Sequence, residues 1–298
     1  MVGEKLITRR DFMRAGSCVA MGGLMGFPVV GSSRAGNVKK SRVVLIRDEN
    51  VFDAQGRLSK DRLLSMLDKA VQVLFSRDKP LAAWRNMVGP KDIVGVKSNV
   101  WHYLPTPREL EEGILVRLMD SGVKEEKISF DDRRVRKNPV FQDSTRLINV
   151  RPMRTHHWSG LGTLIKNYIM FVSWPARYHG NACENLGSIW KKPEIEGKTC
   201  LNILVMLTPL FHGIGPHHFS RKYTWPYCGL IVSEDPVAAD VTGAKIIQNK
   251  RDAFFGEKRP ISPPPIHITA ADKKFRLGSS HPDMIELIKL GLDRDVLI

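Results

Sequence analysis

The sequence predicts an α/β protein, with a mostly parallel or mixed central sheet and helices on both faces in a Rossmann-like layered arrangement. Short apolar runs suited to buried strands alternate with segments of helical spacing. Such alternation argues for a largely parallel sheet between helical layers. The 263 residues beyond position 35 are enough for one large core, so 36–298 is expected to form a single domain. No fixed-period repeat or low-complexity tract interrupts the pattern.

The elements follow in order. Val43-Val44-Leu45-Ile46 reads as the first strand. Leu58 to Phe75 places Leu63, Leu64, Leu67, Val71, Leu74 and Phe75 at helical spacing, with Ser59 as N-cap. Asp92 to Lys97 is a second strand that runs out at Ser98-Asn99. Pro107 to Ser121 is a helix with proline in its first turn and Gly122 past its end. Lys127 to Phe130 and Arg146 to Val150 are further strands, and Gly160 to Phe171 is read as a helix. Cys200 to Leu207 and Tyr227 to Val232 complete the strands. A helix over Val237 to Asn249, capped by Asp235 with Pro236 behind it, and a last one over Pro282 to Leu290 complete the helices. The stretch 172–198 and the proline-rich 258–267 read as loops, the second linking to the last helix.

The first 35 residues read differently. Thr8-Arg9-Arg10-Asp11-Phe12-Met13-Arg14 matches the twin-arginine signal pattern, an uncharged Ala/Gly-rich stretch follows from Ala15 to Gly31, and Ser33-Arg34-Ala35 offers a small-x-small cleavage site. Residues 1–35 are therefore expected to be a signal peptide recognised by the twin-arginine translocase. The folded protein would work in the periplasm or otherwise outside the cytoplasm, touching a membrane only through an uncleaved signal.

The chain carries 46 basic and 31 acidic residues; residues 1–35 hold five and two of these, leaving 41 against 29. The excess is scattered rather than gathered into a run, and no nucleic-acid module is visible, so no nucleic-acid partner is expected. Anionic lipid, an acidic redox partner or a small anionic substrate suits an exported protein better. Of the four cysteines, Cys18 lies in the expected signal; beyond position 35, Cys183, Cys200 and Cys228 are an odd set with no C-x-x-C pair, which excludes a complete disulfide framework and a self-contained iron–sulfur motif.

Polar residues gather just past three strand ends, where open α/β sheets bind ligands. They are Lys97, Asn99 and His102; then Asp131, Asp132 and Arg133; then Arg154, Thr155, His156 and His157, followed by Lys166 and Asn167. One shared crevice would unite them. By chemical type, Lys97, Arg133 and Lys166 suit an anionic group, and His156 suits proton transfer. Asn99 and Asn167 suit substrate orientation, and Asp131 or Asp132 could hold a metal or fix the His156 tautomer. The catalytic candidates are thus His156, Lys166, Asn167 and Asp131, with Lys97, Asn99, Arg133 and Asp240 as substrate-binding candidates. Asp240, one turn into its helix, reads equally as dipole support. Tyr178 to Glu184 sets His179 and Cys183 on one loop, a candidate metal pair whose alternative is a hydrogen-bonded loop with an inert thiol. The loop holding His212, His217 and His218 is a weaker candidate of the same kind.

Four stretches together resemble the family called domain of unknown function 362, in its twin-arginine-exported form. They are Val94 to Asn99; Thr155-His156 with Leu164 to Asn167; His179 to Cys183; and Gly229 to Val232 running into Asp235 to Asp240. The resemblance implies an exported, cofactor- or metal-associated, redox-linked enzyme, because family members often carry or neighbour iron–sulfur modules. This chain lacks C-x-x-C, so any cluster would belong to a partner. It also reads Val205-Met206-Leu207-Thr208 where family members often carry a strand-end aspartate, which implies altered activity. The alternative is a non-catalytic docking or assembly subunit of an exported redox complex.

Overall fold

The computed structural model describes residues 40–213 and 219–298. The signal-peptide expectation for residues 1–35 and the histidines at 217 and 218 lie outside the described residues.

Strand β1 (Ser41–Arg47) leads to helix α1 (Lys60–Phe75), whose first turn is capped by the Ser59 side chain accepting from the Arg62 N–H at 3.4 Å. A short α2 (Pro80–Trp84) packs beside it. Strand β2 (Val94–Lys97) is followed by α3 (Arg108–Asp120), which stops at Gly122 in the left-handed region (φ 97°). Next come β3 (Ile128–Asp131), the single turn α4 (Pro139–Gln142), the long β4 (Arg146–His156) and β5 (Gly160–Gly162). Two more single turns, α5 (Leu164–Asn167) and α6 (Gly180–Cys183), precede β6 (Thr199–Leu210) and β7 (Gly229–Ser233). Helices α7 (Pro236–Phe255) and α8 (Ile266–Lys273) and strand β8 (Ile285–Gly291) end the chain.

The sheet is mixed, in the order β3-β2-β4-β6-β7-β1-β8, with β5 hairpinned onto β4. Strands β3, β2, β4 and β6 are mutually parallel, as are β1 and β8, while β7 runs against both its neighbours. Leu63, Leu67 and Val71 of α1 and Leu110, Ile114 and Leu118 of α3 pack with Val44, Val96, Ile148 and Ile203 on one face. Ala238, Ile246 and Ile247 of α7 pack with Val43, Leu45, Leu204 and Ile231 on the other. Helices thus cover both faces, as the alternation of patterns predicts. Among the described residues no helix is long and apolar enough to cross a membrane.

Two predicted helices are not formed. The Gly160–Phe171 segment is instead strand β5, the single turn α5 and a 3-10 turn over Tyr168–Phe171. Its break is set at Gly160, whose φ of 71° is left-handed and whose Cα lies so close to Pro263 that a Cβ would stand 2.0 Å from that carbonyl oxygen. The segment from Pro282 to Leu290 is strand β8, paired in parallel along the whole of β1. Its apolar residues satisfy both the helical and the two-residue period, and the otherwise open edge of β1 decides between them. The supposed linker 258–267 leads into α8, which packs onto Leu186 and Ile189 through Ile268 and Ala271.

Candidate functional site

Because β3, β2 and β4 are adjacent and parallel, their carboxyl ends open side by side, and the three polar clusters do meet at one edge of the sheet. Lys97, the last residue of β2, is fully buried; its ammonium donates to Asp132 Oδ1 at 2.5 Å and to the Ser98 carbonyl at 2.8 Å. Burial pulls the Lys97 pKa down to about 8 despite the attraction of Asp132. The second Asp132 oxygen accepts from the Val100 N–H at 3.0 Å, so the loop after β2 closes over this ion pair.

Asn167 is the junction of the site. Its amide nitrogen donates to the carbonyls of Lys97 and Val150, each at 3.0 Å, and to Asn149 Oδ1 at 2.8 Å. Its oxygen accepts from Arg151 at 3.2 Å. Asn149 in turn donates to the Leu164 carbonyl and to Asn202 Oδ1, each at 3.1 Å, so α5 is fastened across β2, β4 and β6. Asp240 closes the other end of that turn: its two oxygens accept from the Leu164 and Ile165 N–H groups at 2.8 and 2.9 Å. Burial pushes the Asp240 carboxyl up to about 7, while those two N–H groups favour its charged form.

Above this frame lies an uncompensated cluster of cations. A register shift between Pro152 and Arg154 breaks the regular alternation of β4, and both arginines flanking it, Arg151 and Arg154, come to lie against Gly162 of β5. Arg151 and Arg154 are 4% and 5% exposed, and among the described residues neither forms an ion pair. Arg154 rests its guanidinium on the Trp101 ring at 4.0 Å, but its Nε and one terminal nitrogen have no hydrogen-bond partner; the Arg151 Nε has none either. Lys166, on α5, is also buried, and among the described residues its ammonium reaches only Cys183 Sγ, at 3.6 Å. Four buried cations, Lys97, Arg151, Arg154 and Lys166, therefore share two buried carboxylates, Asp132 and Asp240, both already engaged.

The electrostatics follow from that imbalance. Burial, with Arg151 adding like charge, drives the Arg154 pKa far below its usual range, and burial lowers Lys166 to about 8. His156 is held neutral by burial and by the facing Lys166, Arg154 and Arg151, and its Nδ1 accepts from the Trp158 N–H at 3.3 Å. Unpaired buried donors are rare and costly in folded proteins, so two beside one another mark a place built for an acceptor.

No known family, curated protein or solved structure matches this chain.

Of the predicted site residues, Lys97, His156, Lys166 and Asn167 converge here. Asn99 is buried beside them, with its side chain accepting from the Trp101 N–H of its own loop at 3.4 Å. Asp131 turns away to accept from the Arg134 N–H and from Asn138, so neither it nor Asp132 holds the His156 ring. Arg133 is exposed on the loop after β3, outside the buried cluster. Asp240 serves the backbone of α5. His179 stacks on Trp158 with ring centroids 3.8 Å apart, while Cys183 is buried against Lys166. Among the described residues no three His, Cys, Asp or Glu side chains form a group able to hold a metal.

Cys183 is held in place by unusual backbone. Asn181, Ala182 and Cys183 are all left-handed, with φ of 44°, 48° and 65°, which costs non-glycine residues about 1 kcal/mol or more each. Neither Arg151 nor the role of Arg154 is evident from residue type alone. Their signal is the presence of two arginines within a strand otherwise flanked by Leu147, Val150 and Met153. Thr155, between Arg154 and His156, points to the other face, where its unpartnered hydroxyl lines an open cavity of about 870 Å³.

Proposed function

We propose that the crevice at the carboxyl ends of β2 and β4 binds a small oxyanion-bearing molecule, a carboxylate or phosphate, and that His156 and Lys166 handle protons beside it. The observation that carries this is Arg154: a guanidinium buried to 5% exposure with two nitrogens lacking acceptors and no carboxylate within reach among the described residues. An oxyanion would supply the missing acceptors to Arg154 and Arg151 and offset the charge of Lys166. Neutral His156 is then available to accept a proton, and a bound anion would raise its affinity for one. The twin-arginine pattern and the resemblance to the unknown-function-362 family support placing this activity outside the cytoplasm, with any iron–sulfur group on a redox partner.

Calorimetric titration of the purified protein with inorganic phosphate, sulfate and malonate tests the reading. Binding of at least one of them, weakened about tenfold or more in Arg154→Met, is the expected result. A protein that binds none, and whose melting temperature none of them raises, would instead fit a docking subunit with no ligand of its own.

A further inference from the structure

The cavity of about 870 Å³ on the other face of β4 has no part in the oxyanion reading. Side chains alternate along a strand, so Thr155 turns away from Arg154 and His156 and joins the wall of this cavity. Thr155 is 3% exposed, and its hydroxyl has no hydrogen-bond partner among the described residues. His212, just past β6, lines the same cavity, with its Nδ1 3.0 Å from a terminal nitrogen of Arg251. A guanidinium can only donate, so Nδ1 accepts and the ring proton sits on Nε2. Burial, then the charges of Arg251 and Arg259, lower the His212 pKa and keep the ring in this neutral form. Arg259 is the third polar wall. Its N–H donates to Asp252 Oδ1 at 2.8 Å, which fixes the loop after α7, and its guanidinium lies 4.1 Å over the Phe255 ring. Among the described residues that guanidinium forms no hydrogen bond or ion pair.

We propose that this cavity is a second ligand site, for a small monocarboxylate with an apolar body, its carboxylate set among Thr155, His212 and Arg259. The described residues that line it include two arginines and a histidine but no carboxylate, so the wall offers donors and positive charge. Asp252, which attracts Arg251, does not line the cavity and already accepts from Gln248 and the Arg259 N–H. The Arg251 fork is filled by the carbonyls of Phe211, Arg259 and Pro260, so Arg251 lends its charge and leaves the hydrogen bonding to others. One free guanidinium, one neutral N–H donor and one hydroxyl match a singly charged head group. Tyr223, Pro260 and Ile261 supply apolar wall beside them, and the volume falls within the range of small-molecule pockets. The inference stands apart from the oxyanion reading, because β4 itself separates Thr155 from the buried cations.

Octanoate and octanol share a chain and differ only in the head group, so calorimetric titration of the intact protein with each tests the site. Octanoate is expected to bind about fivefold or more tightly than octanol. Arg259→Met, at an exposed position, should weaken octanoate about fivefold, and Thr155→Val, which removes only a hydroxyl without an internal partner, about threefold. Arg154→Met should leave octanoate binding unchanged, since that side chain faces the other side of β4. The proposal is overturned if octanoate binds no better than octanol, or if its affinity is unchanged in either Arg259→Met or Thr155→Val. Loss of octanoate binding in Arg154→Met would also overturn it, by placing the carboxylate in the crevice. None of these outcomes alters the response of Arg154 to phosphate, sulfate or malonate, so the two readings stand or fall separately.

Discussion

Among the described residues four arginines are buried to nearly the same degree, between 4% and 6% exposed, and they divide into two kinds. Arg47 donates to the carbonyls of Tyr227, Leu292 and Arg294, and so ties the chain after β8 to the start of the sheet. Arg251, on α7, donates to the carbonyls of Phe211, Arg259 and Pro260 and contacts His212. Each is a structural clamp whose planar fork is filled by backbone acceptors. Arg151 and Arg154 have the same burial with fewer acceptors: Arg151 donates to Asn167 Oδ1 but its Nε has no partner, and two Arg154 nitrogens have none. A fold that satisfies two arginines with carbonyls has no general difficulty in doing so; leaving two others short at the mouth of a sheet is a property of that place. What distinguishes a site from a scaffold here is the unfilled donor, since burial is common to both.

The comparison predicts opposite signs. Arg251→Met and Arg47→Met should each destabilise the protein by about 3 kcal/mol in urea denaturation, because three carbonyls lose their donor. Arg154→Met should instead raise stability, by about 1 kcal/mol, since it removes an unpaired buried charge and keeps much of the side-chain volume, while oxyanion affinity falls about tenfold or more. If Arg154→Met destabilises as much as Arg251→Met, the two classes collapse into one and Arg154 is a clamp as well.

The layered fold, and the nearness of Lys97, Lys166 and Asn167 at the strand ends, were legible because apolar period and strand-end polarity are local signals. The segments that escaped are ones decided by distant partners. Ile285 to Leu290 becomes a strand only because β1 offers a free edge, and the helical pattern after Gly160 is cut by Pro263, about a hundred residues away in the chain. The same holds within the site. Lys97, His156, Lys166 and Asn167 are recognisable by type and position, whereas Arg133 and Asp131 share that type but face elsewhere. Arg151 and Arg154 become meaningful only when one counts the acceptors that three-dimensional packing fails to bring them.

A smaller effect should appear with pH. Lys166 and Lys97 are both lowered to about 8, so in the free protein they carry their charge below that value and lose it above. A bound oxyanion favours the charged lysine and raises its pKa. Binding therefore takes up protons between the free and bound values, and affinity falls as pH rises past about 8. Sulfate is the suitable probe because its own charge is constant over that range. Its affinity should be level from pH 6 to about 7 and decline above about 8, with a shallower decline in Lys166→Met. A flat profile to pH 10 would show that neither lysine faces the anion, leaving the arginines to act alone.

The finest distinction can be made at Gly162, which pairs with Arg154 across the hairpin. A Cβ there would stand 2.9 Å from a terminal nitrogen of Arg151 and 3.3 Å from Arg154 Cγ. Both neighbours are flexible side chains, so Gly162→Ala should be accommodated by a shift of a few tenths of an ångström at the guanidinium groups. The expected change in the urea midpoint corresponds to less than about 1 kcal/mol, with oxyanion affinity reduced about threefold because the two forks no longer present their donors together. A clamp would respond the other way round, losing stability before anything else. If Gly162→Ala unfolds more readily yet binds as well as the parent, the arginines beside it are held for the fold, and the oxyanion must be sought elsewhere on the molecule.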